Sequence, residues 1–320
     1  MSFIRFAHSR LATRQFARGY STAPAAKQSN LPYWLLGAGA GGLGIYAYLD
    51  SRYSEKPQEK SPLDPQNFLD FKLKKIVPYN HNTSTFIFEL PNNDASLIPV
   101  ASCLIVKSSD PEGCTSNGKP VIRPYTPTSQ PDDRGVLELL VKKYDSGNMS
   151  KHIHTLKEGD TLAIKGPITK WAYKENEFDE VALIGGGSGI TPLWQIVSHA
   201  LRSPANKTKF TLIYSNVTEA DILMREQFEE LAKKNPETLK LVYALDKPPK
   251  NWSGPSGYIT KDLVKEYVAP ASLGEKVKVF VCGPPGQMNA ISGQKAGMKQ
   301  GEIGGVLKEL GYTIDQVFKF

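Results

Sequence analysis

Cysteine is scarce in this 320-residue chain: there are three, Cys103, Cys114 and Cys282, with no CxxC pair and no Cys/His cluster. A disulfide framework, a zinc site and an iron–sulfur cluster are therefore excluded as organising features. Acid is absent from the first 49 residues, and Asp50 is the first carboxylate. The net charge of +7 is consequently lopsided, because Arg5, Arg10, Arg14, Arg18 and Lys27 place five positive charges in residues 1–30. The remainder is nearly neutral and has no basic stripe for a phosphate backbone, which argues against nucleic acid as a partner. Internal repeats and low-complexity arrays are also missing. What is present, 40% hydrophobic and 22% charged residues, is the composition of a globular protein with room for two domains and an extra segment.

Residues 1–30 are rich in Arg, Ser and Thr. On a helix, Arg10, Arg14 and Arg18 share one face and Phe3, Ala7 and Leu11 another. That pattern predicts a mitochondrial targeting segment, and Arg18 with Ser21 after Tyr20 resembles a matrix-protease cleavage site. Residues 31–49 carry no charge. As a helix they span about 28 Å, close to the hydrocarbon thickness of a bilayer. Tyr33 and Trp34 at one end and Tyr46 and Tyr48 at the other suit the two interfaces, so a single transmembrane helix is predicted. Gly37, Gly39 and Gly42 spell GxGxxG there, but no strand precedes them, as the dinucleotide fingerprint requires. The polar, Pro-rich residues 50–62 read as a linker.

From residue 63 to about 174 short β runs alternate with turns: FKLKKIVPY, STFIFEL, SCLIVKS, GVLELLVKKY and DTLAIKG. Five or six such strands predict a small closed antiparallel β-barrel. Over 175–320 the rhythm changes to continuous apolar runs, DEVALIG, KFTLIYS, LKLVYAL and KVKVFVCG, separated by helical stretches such as TPLWQIVSHALRS and ADILMREQFEELAKKN. That alternation predicts a doubly wound parallel sheet.

Chemistry concentrates in four motifs. In Arg123-Pro-Tyr-Thr-Pro-Thr-Ser129, Pro124 biases Arg123 towards an extended backbone, so that a guanidinium for phosphate and a flat Tyr125 ring project together. Gly147-Asn-Met-Ser150 opens a helical run whose N–H groups suit a pyrophosphate. His152 and His154, two apart, read as surface or helix-edge residues, not metal ligands. Gly185-Gly-Gly-Ser-Gly-Ile-Thr-Pro192 sits between a strand and a helix, where glycines let backbone approach a dinucleotide. Asp246 ends the strand LVYAL, placed to accept from a ribose hydroxyl and to disfavour a 2′-phosphate. Cys282 ends the last long strand within CGPPGQM.

Taken in order, these motifs resemble those of the ferredoxin reductase-like flavoprotein superfamily, most closely its cytochrome b5 reductase branch of the fungal mitochondrial type. Its RxYTxxS, GGTGITP and CGPPPM signatures are matched with Ser188 for Thr and Gly286 for the third Pro. The resemblance implies FAD held by Arg123, Pro124, Tyr125, Thr126 and Ser129, by Val141, Lys142 and Tyr144, and by Gly147, Met149 and Ser150. It implies NADH against Gly186, Gly187, Thr191, Asp246, Cys282, Gly283, Pro284 and Met288, with Phe320 near the flavin. Thr126 and Cys282 would position the reacting atoms, and no acid–base dyad is needed because the cofactors carry the chemistry. A cytochrome b5-like haem protein would accept single electrons from a monomeric catalytic body. The family's location implies the mitochondrial outer membrane, with a processed form in the intermembrane space. An NADPH-linked flavodoxin or ferredoxin reductase is the enzymatic alternative. A membrane-tethered binding protein without flavin is the other.

Overall fold

A computed structural model describes residues 59–320, which form one compact unit. The predicted targeting segment, the transmembrane helix over 31–49 and most of the linker lie outside the described residues. Among the described residues no helix is long and apolar enough to cross a membrane.

The first half is built by alternation. Strand β1 (Leu69–Asn80) buries Phe71 and Leu73 and exposes Lys72 and Lys74 on the opposite face, as a half-buried strand must. It is followed by β2 (Thr83–Glu89), β3 (Ser102–Ser108), the short pair β4 (Thr115–Ser116) and β5 (Lys119–Pro120), β6 (Arg123–Tyr125), β7 (Val136–Lys142), helix α1 (Asn148–Ile153) and β8 (Thr161–Thr169). Six of these strands form one antiparallel sheet in the order β6-β3-β8-β1-β2-β7 around Leu73, Phe86, Phe88, Leu104, Leu137 and Leu139. The predicted closed barrel is not a continuous ladder: β6 and β7 are the two edges. Only the Thr128 N–H to the Glu138 carbonyl (3.0 Å) and the Glu138 N–H to Ser129 Oγ (3.1 Å) reach across. Pro124 supplies the reason, since it has no N–H and sits at the middle of a three-residue edge strand.

The second half is buried on both faces. Strands β9 (Glu180–Gly186), β10 (Lys209–Asn216), β11 (Leu239–Leu245), β12 (Val277–Cys282) and β13 (Val317–Lys319) pair parallel in the order β11-β10-β9-β12-β13. The chain leaves β9 towards β10 and β11, then returns to place β12 on the other side of β9. The carboxyl ends of β9 and β12 therefore flank the switch point, where α/β sheets bind ligands. Five helices connect them: α2 (Ile190–Ala200), α3 (Arg225–Lys234), α4 (Lys261–Tyr267), α5 (Pro285–Ser292) and α6 (Gly305–Glu309). Helix α3 starts later than ADILMREQ suggests. Thr218 and Asp221 close a capping box on a 3-10 turn, and Met224 is left-handed (φ 58°), so α3 begins at Arg225. The three-residue β13 was beyond reach of a periodicity argument; its register, Lys319 opposite Val281, comes from pairing with β12.

The two halves are fastened along their length. Arg202 donates twice to Asp132 (2.8 and 2.6 Å), Ser102 N–H donates to Gln195 Oε1 (3.0 Å), and Lys142 reaches Asp221 (3.0 Å).

Candidate functional site

On the barrel side, Arg123 lies on the open edge strand with its guanidinium exposed. Nη1 donates to the Ile122 carbonyl (2.8 Å), and among the described residues no carboxylate pairs with it. Tyr125 is half-buried beside it. Burial, then the neighbouring Tyr144, push its phenol up to about 12, so it acts as a neutral ring surface at physiological pH. Thr126 follows β6 directly and is half-buried. Ser129 is already engaged with Glu138 across the barrel gap. At the start of α1 the Ser150 hydroxyl accepts from Tyr144 N–H (3.1 Å) and donates to the Gly147 carbonyl (3.0 Å). A Cβ on Gly147 would stand 2.5 Å from that hydroxyl. The turn from Tyr144 to Ser150 is thus closed on itself, leaving helix-start N–H groups to face outwards.

Three expected contact residues turn their side chains away. Val141 and Met149 are buried in the barrel core and can offer only main chain. Met288 packs into the core of the parallel sheet, donates its N–H to the Pro284 carbonyl (3.0 Å) and does not line the cavity described below. One residue earlier, Gln287 takes that place. Its Nε2 donates to the Gly185 carbonyl (3.0 Å) and its Oε1 accepts from Ser215 (3.2 Å), tying the ends of β9 and β10 to the start of α5. His152 and His154 are half-buried, not surface residues. The His154 ring stands edge-on to Phe86, with Nε2 2.9 Å from the Val141 carbonyl.

On the sheet side, Gly186 ends β9, Gly187 opens the 3-10 turn that follows, and Thr191 sits in the first turn of α2. Gly187 is left-handed (φ 51°). A Cβ on Gly189 would overlap the backbone carbonyl of Cys282, so only glycine fits there, whereas one on Gly186 would meet the end of the Gln287 side chain, which can swing aside. Cys282 follows, its thiol pushed up to about 12 by burial, which rules it out as a thiolate nucleophile. Phe320 stacks on Phe280 (5.9 Å, 29°) and donates its N–H to Val281.

Between the halves lies a cavity of about 540 Å³. Lys142 and Tyr144 line it from the barrel. Gly186, Gly187, Asn216, Asp246, Pro284 and Gln287 line it from the sheet. The Tyr144 hydroxyl lies 2.8 Å from Ser188 Oγ and joins the two walls. Asn216 is buried there with neither side-chain atom hydrogen-bonded. A buried amide without partners is costly, and a ligand in the cavity would satisfy it. Tyr258, 81% exposed, stands at the same wall as Asp246 and offers a flat face. Asn216 and Tyr258 escaped the motif reading, because one ends a strand like any polar residue and the other lies in a loop. Glycine-only approaches, an orphaned amide and an aromatic face are together a fit for a dinucleotide, and the free guanidinium with the neutral Tyr125 ring fits a flavin nucleotide.

Residues 70–173 match the family model of an oxidoreductase FAD-binding domain, and residues 183–293 that of an oxidoreductase NAD-binding domain. The NADH-cytochrome b5 reductase 2 of Mycosarcoma maydis is 45% identical, over 97% of this chain and 93% of its own. This chain belongs to the NADH-cytochrome b5 reductase family. The corresponding protein of Emericella nidulans is 44% identical over 96% of both chains. Among solved structures, the cytochrome b5 reductase domain of Ulva prolifera nitrate reductase superposes with a TM-score of 0.70 at 26% identity. That match covers 82% of this chain and all of the other.

Proposed function

We propose that the chain is an NADH-dependent, FAD-containing reductase that delivers electrons to cytochrome b5 or a similar haem protein. The observation that carries this reading is the single cleft in which the Tyr144–Ser188 hydrogen bond joins the flavin-side turn to the nicotinamide-side glycine loop. FAD held by these residues would supply hydride acceptance from NADH and one-electron release to a haem acceptor. The chain's own part is geometric. Arg123 and the start of α1 bind the flavin pyrophosphate, while Pro124, Tyr125 and Thr126 support and orient the ring. Gly186, Gly187, Thr191 and Gly283 let the nicotinamide nucleotide lie against backbone. Cys282, neutral and packed, positions the nicotinamide, and Phe320 closes the far side and limits water. Asp246 accepts from the adenosine ribose and disfavours a 2′-phosphate, which selects NADH over NADPH.

The leader supports a mitochondrial destination, and residues 31–49 support attachment to a membrane by a single span. We place the protein in the outer membrane with a monomeric catalytic body, and a processed form in the intermembrane space. An absorbance spectrum of the purified protein before and after anaerobic NADH, with NADPH in parallel, tests the central reading. Yellow protein bleached quickly by NADH and slowly by NADPH is expected; colourless protein that does not take up FAD would overturn it.

A further inference from the structure

Strand β13 is a three-residue edge strand at the end of the chain, and an end of that kind frays unless it is tied down. Its inner side is paired: Lys319 lies opposite Val281, and the Phe320 N–H donates to the Val281 carbonyl (3.0 Å). The outer side has no neighbouring strand, so the Lys319 N–H and carbonyl need partners from elsewhere. Gln300 supplies both. Its Oε1 accepts the Lys319 N–H (2.7 Å) and its Nε2 donates to the Lys319 carbonyl (3.1 Å), so one side-chain amide takes the place of a facing strand. Lys295 Nζ donates to the same carbonyl (3.1 Å).

The clasp is mutual. Lys319, 2% exposed, sends its side chain into the excursion 293–304 that carries Gln300 and Lys295. Its Nζ donates to the carbonyls of Glu302 (2.8 Å), Gln294 (3.2 Å) and Ser292 (3.4 Å), so all three ammonium donors are used. Gly301, next to Gln300, is left-handed (φ 66°), and a Cβ there would stand 2.5 Å from the Gln294 carbonyl. The turn that aims Gln300 at the chain end therefore needs glycine. The residue so held is Phe320, whose ring stacks on Phe280 (5.9 Å, 29°) and meets Phe318 edge-on (5.0 Å, 76°). Val281, which accepts its N–H, directly precedes Cys282, so the clasp fixes an aromatic ring next to the strand end that carries Cys282. Residues 293–304 do not line the cavity themselves, and what they contribute to it passes through the chain end.

We infer that Gln300, Lys295 and Lys319 are positioning residues for hydride transfer, which clamp the terminal peptide and hold the Phe320 ring in one place. This rests on the reductase reading above, which sets Phe320 at the flavin. The test uses the full chain with FAD bound. Carboxypeptidase release of Phe320 reads the clamp without any turnover, and anaerobic stopped-flow reduction of the flavin by NADH reads the alignment. Gln300→Ala removes two hydrogen bonds from the chain end and is expected to speed release of Phe320 by about tenfold. It should also slow flavin reduction by about fivefold, with flavin content and KM for NADH unchanged, because only the alignment loosens. Gln300→Glu keeps the acceptor for the Lys319 N–H while Lys295 still holds the carbonyl, and should recover most of both effects. Lys295→Met, which removes only the second donor to that carbonyl, should move both rates in the same directions by about twofold. Unchanged release from Gln300→Ala would overturn the clamp. Faster release with flavin reduced at the wild-type rate would overturn the positioning role and leave the reductase reading standing. Wild-type flavin reduction by Phe320→Ala would instead overturn the placing of Phe320 in that reading, and the role of the clamp with it.

Discussion

The two halves of the proposed site offer a ligand opposite kinds of surface. On the barrel side the groups are side chains on an edge strand and a self-closed turn: Arg123, Tyr125, and the Tyr144–Ser150 clasp. On the sheet side they are gaps: Gly189, where any Cβ would collide with the Cys282 backbone, and the Asn216 amide left without partners. The first wall works by charge and ring surface and tolerates movement. The second works by close backbone approach, where interiors cannot yield. Damage to the two walls should therefore look different.

The largest effect is expected on the sheet wall. Gly189→Ala places a methyl on the Cys282 carbonyl, backbone against backbone, and should cost about 3 kcal/mol or abolish folding. Urea denaturation measures it, and a wild-type midpoint would show that the strand ends can part. Arg123→Ala should leave the fold intact and weaken FAD about 100-fold, as loss of a charge-assisted phosphate contact does; flavin released on ultrafiltration reads this out. Cys282→Ala should slow flavin bleaching by NADH about tenfold with FAD retained, because only the hydride geometry loosens. An unchanged stopped-flow rate would remove Cys282 from the site. Asp246→Ala should shift the NADH-over-NADPH preference by about fivefold, a single ribose hydrogen bond and one repulsion.

The smallest effect concerns the fastening between the walls. Hydrogen bonds from Arg202 hold the Asp132 carboxyl at about 2. Burial alone would raise Asp221, but its bonds from Thr218 and Lys142 outweigh that and bring it below the usual range. Carboxyls lowered by folding stabilise the native state above their unfolded pKa near 4 and lose that contribution as pH falls towards 2. Asp132 is 63% exposed, so screening limits its share to below about 1 kcal/mol. Wild type and Asp132→Asn should therefore differ slightly in stability at pH 6 and converge near pH 2.

Much of the fold was legible because period follows burial. GVLELLVKKY alternates at its start and became β7, which turns Leu137 and Leu139 into the barrel core and also buries Leu140 against the core of the second half; EVALIGG does not alternate and became β9, buried on both faces. The glycine loop and the Cys282 strand end were legible for the same reason, since both need a strand before them. Other features were not. Met149 and Met288 sit inside motifs, yet their side chains fill cores, because a motif's position does not say which way a helix turn points. Asn216 and Tyr258 carry no local signature, and Gln287 sits in a motif beside the residue expected to act; all three acquire roles only when distant segments converge on the cavity.

By itself the sequence determined an antiparallel sheet followed by a parallel one, since that order follows from local periodicity along the chain. Tertiary structure alone decided that the barrel stays open at Pro124 and that Gly189 meets Cys282. It alone joined Tyr144 to Ser188, and it alone buried Lys319 to hold a loop seventeen or more residues away. Those are contacts between segments far apart in the chain, and their energies come from close packing and paired polar groups that exist only once the segments meet.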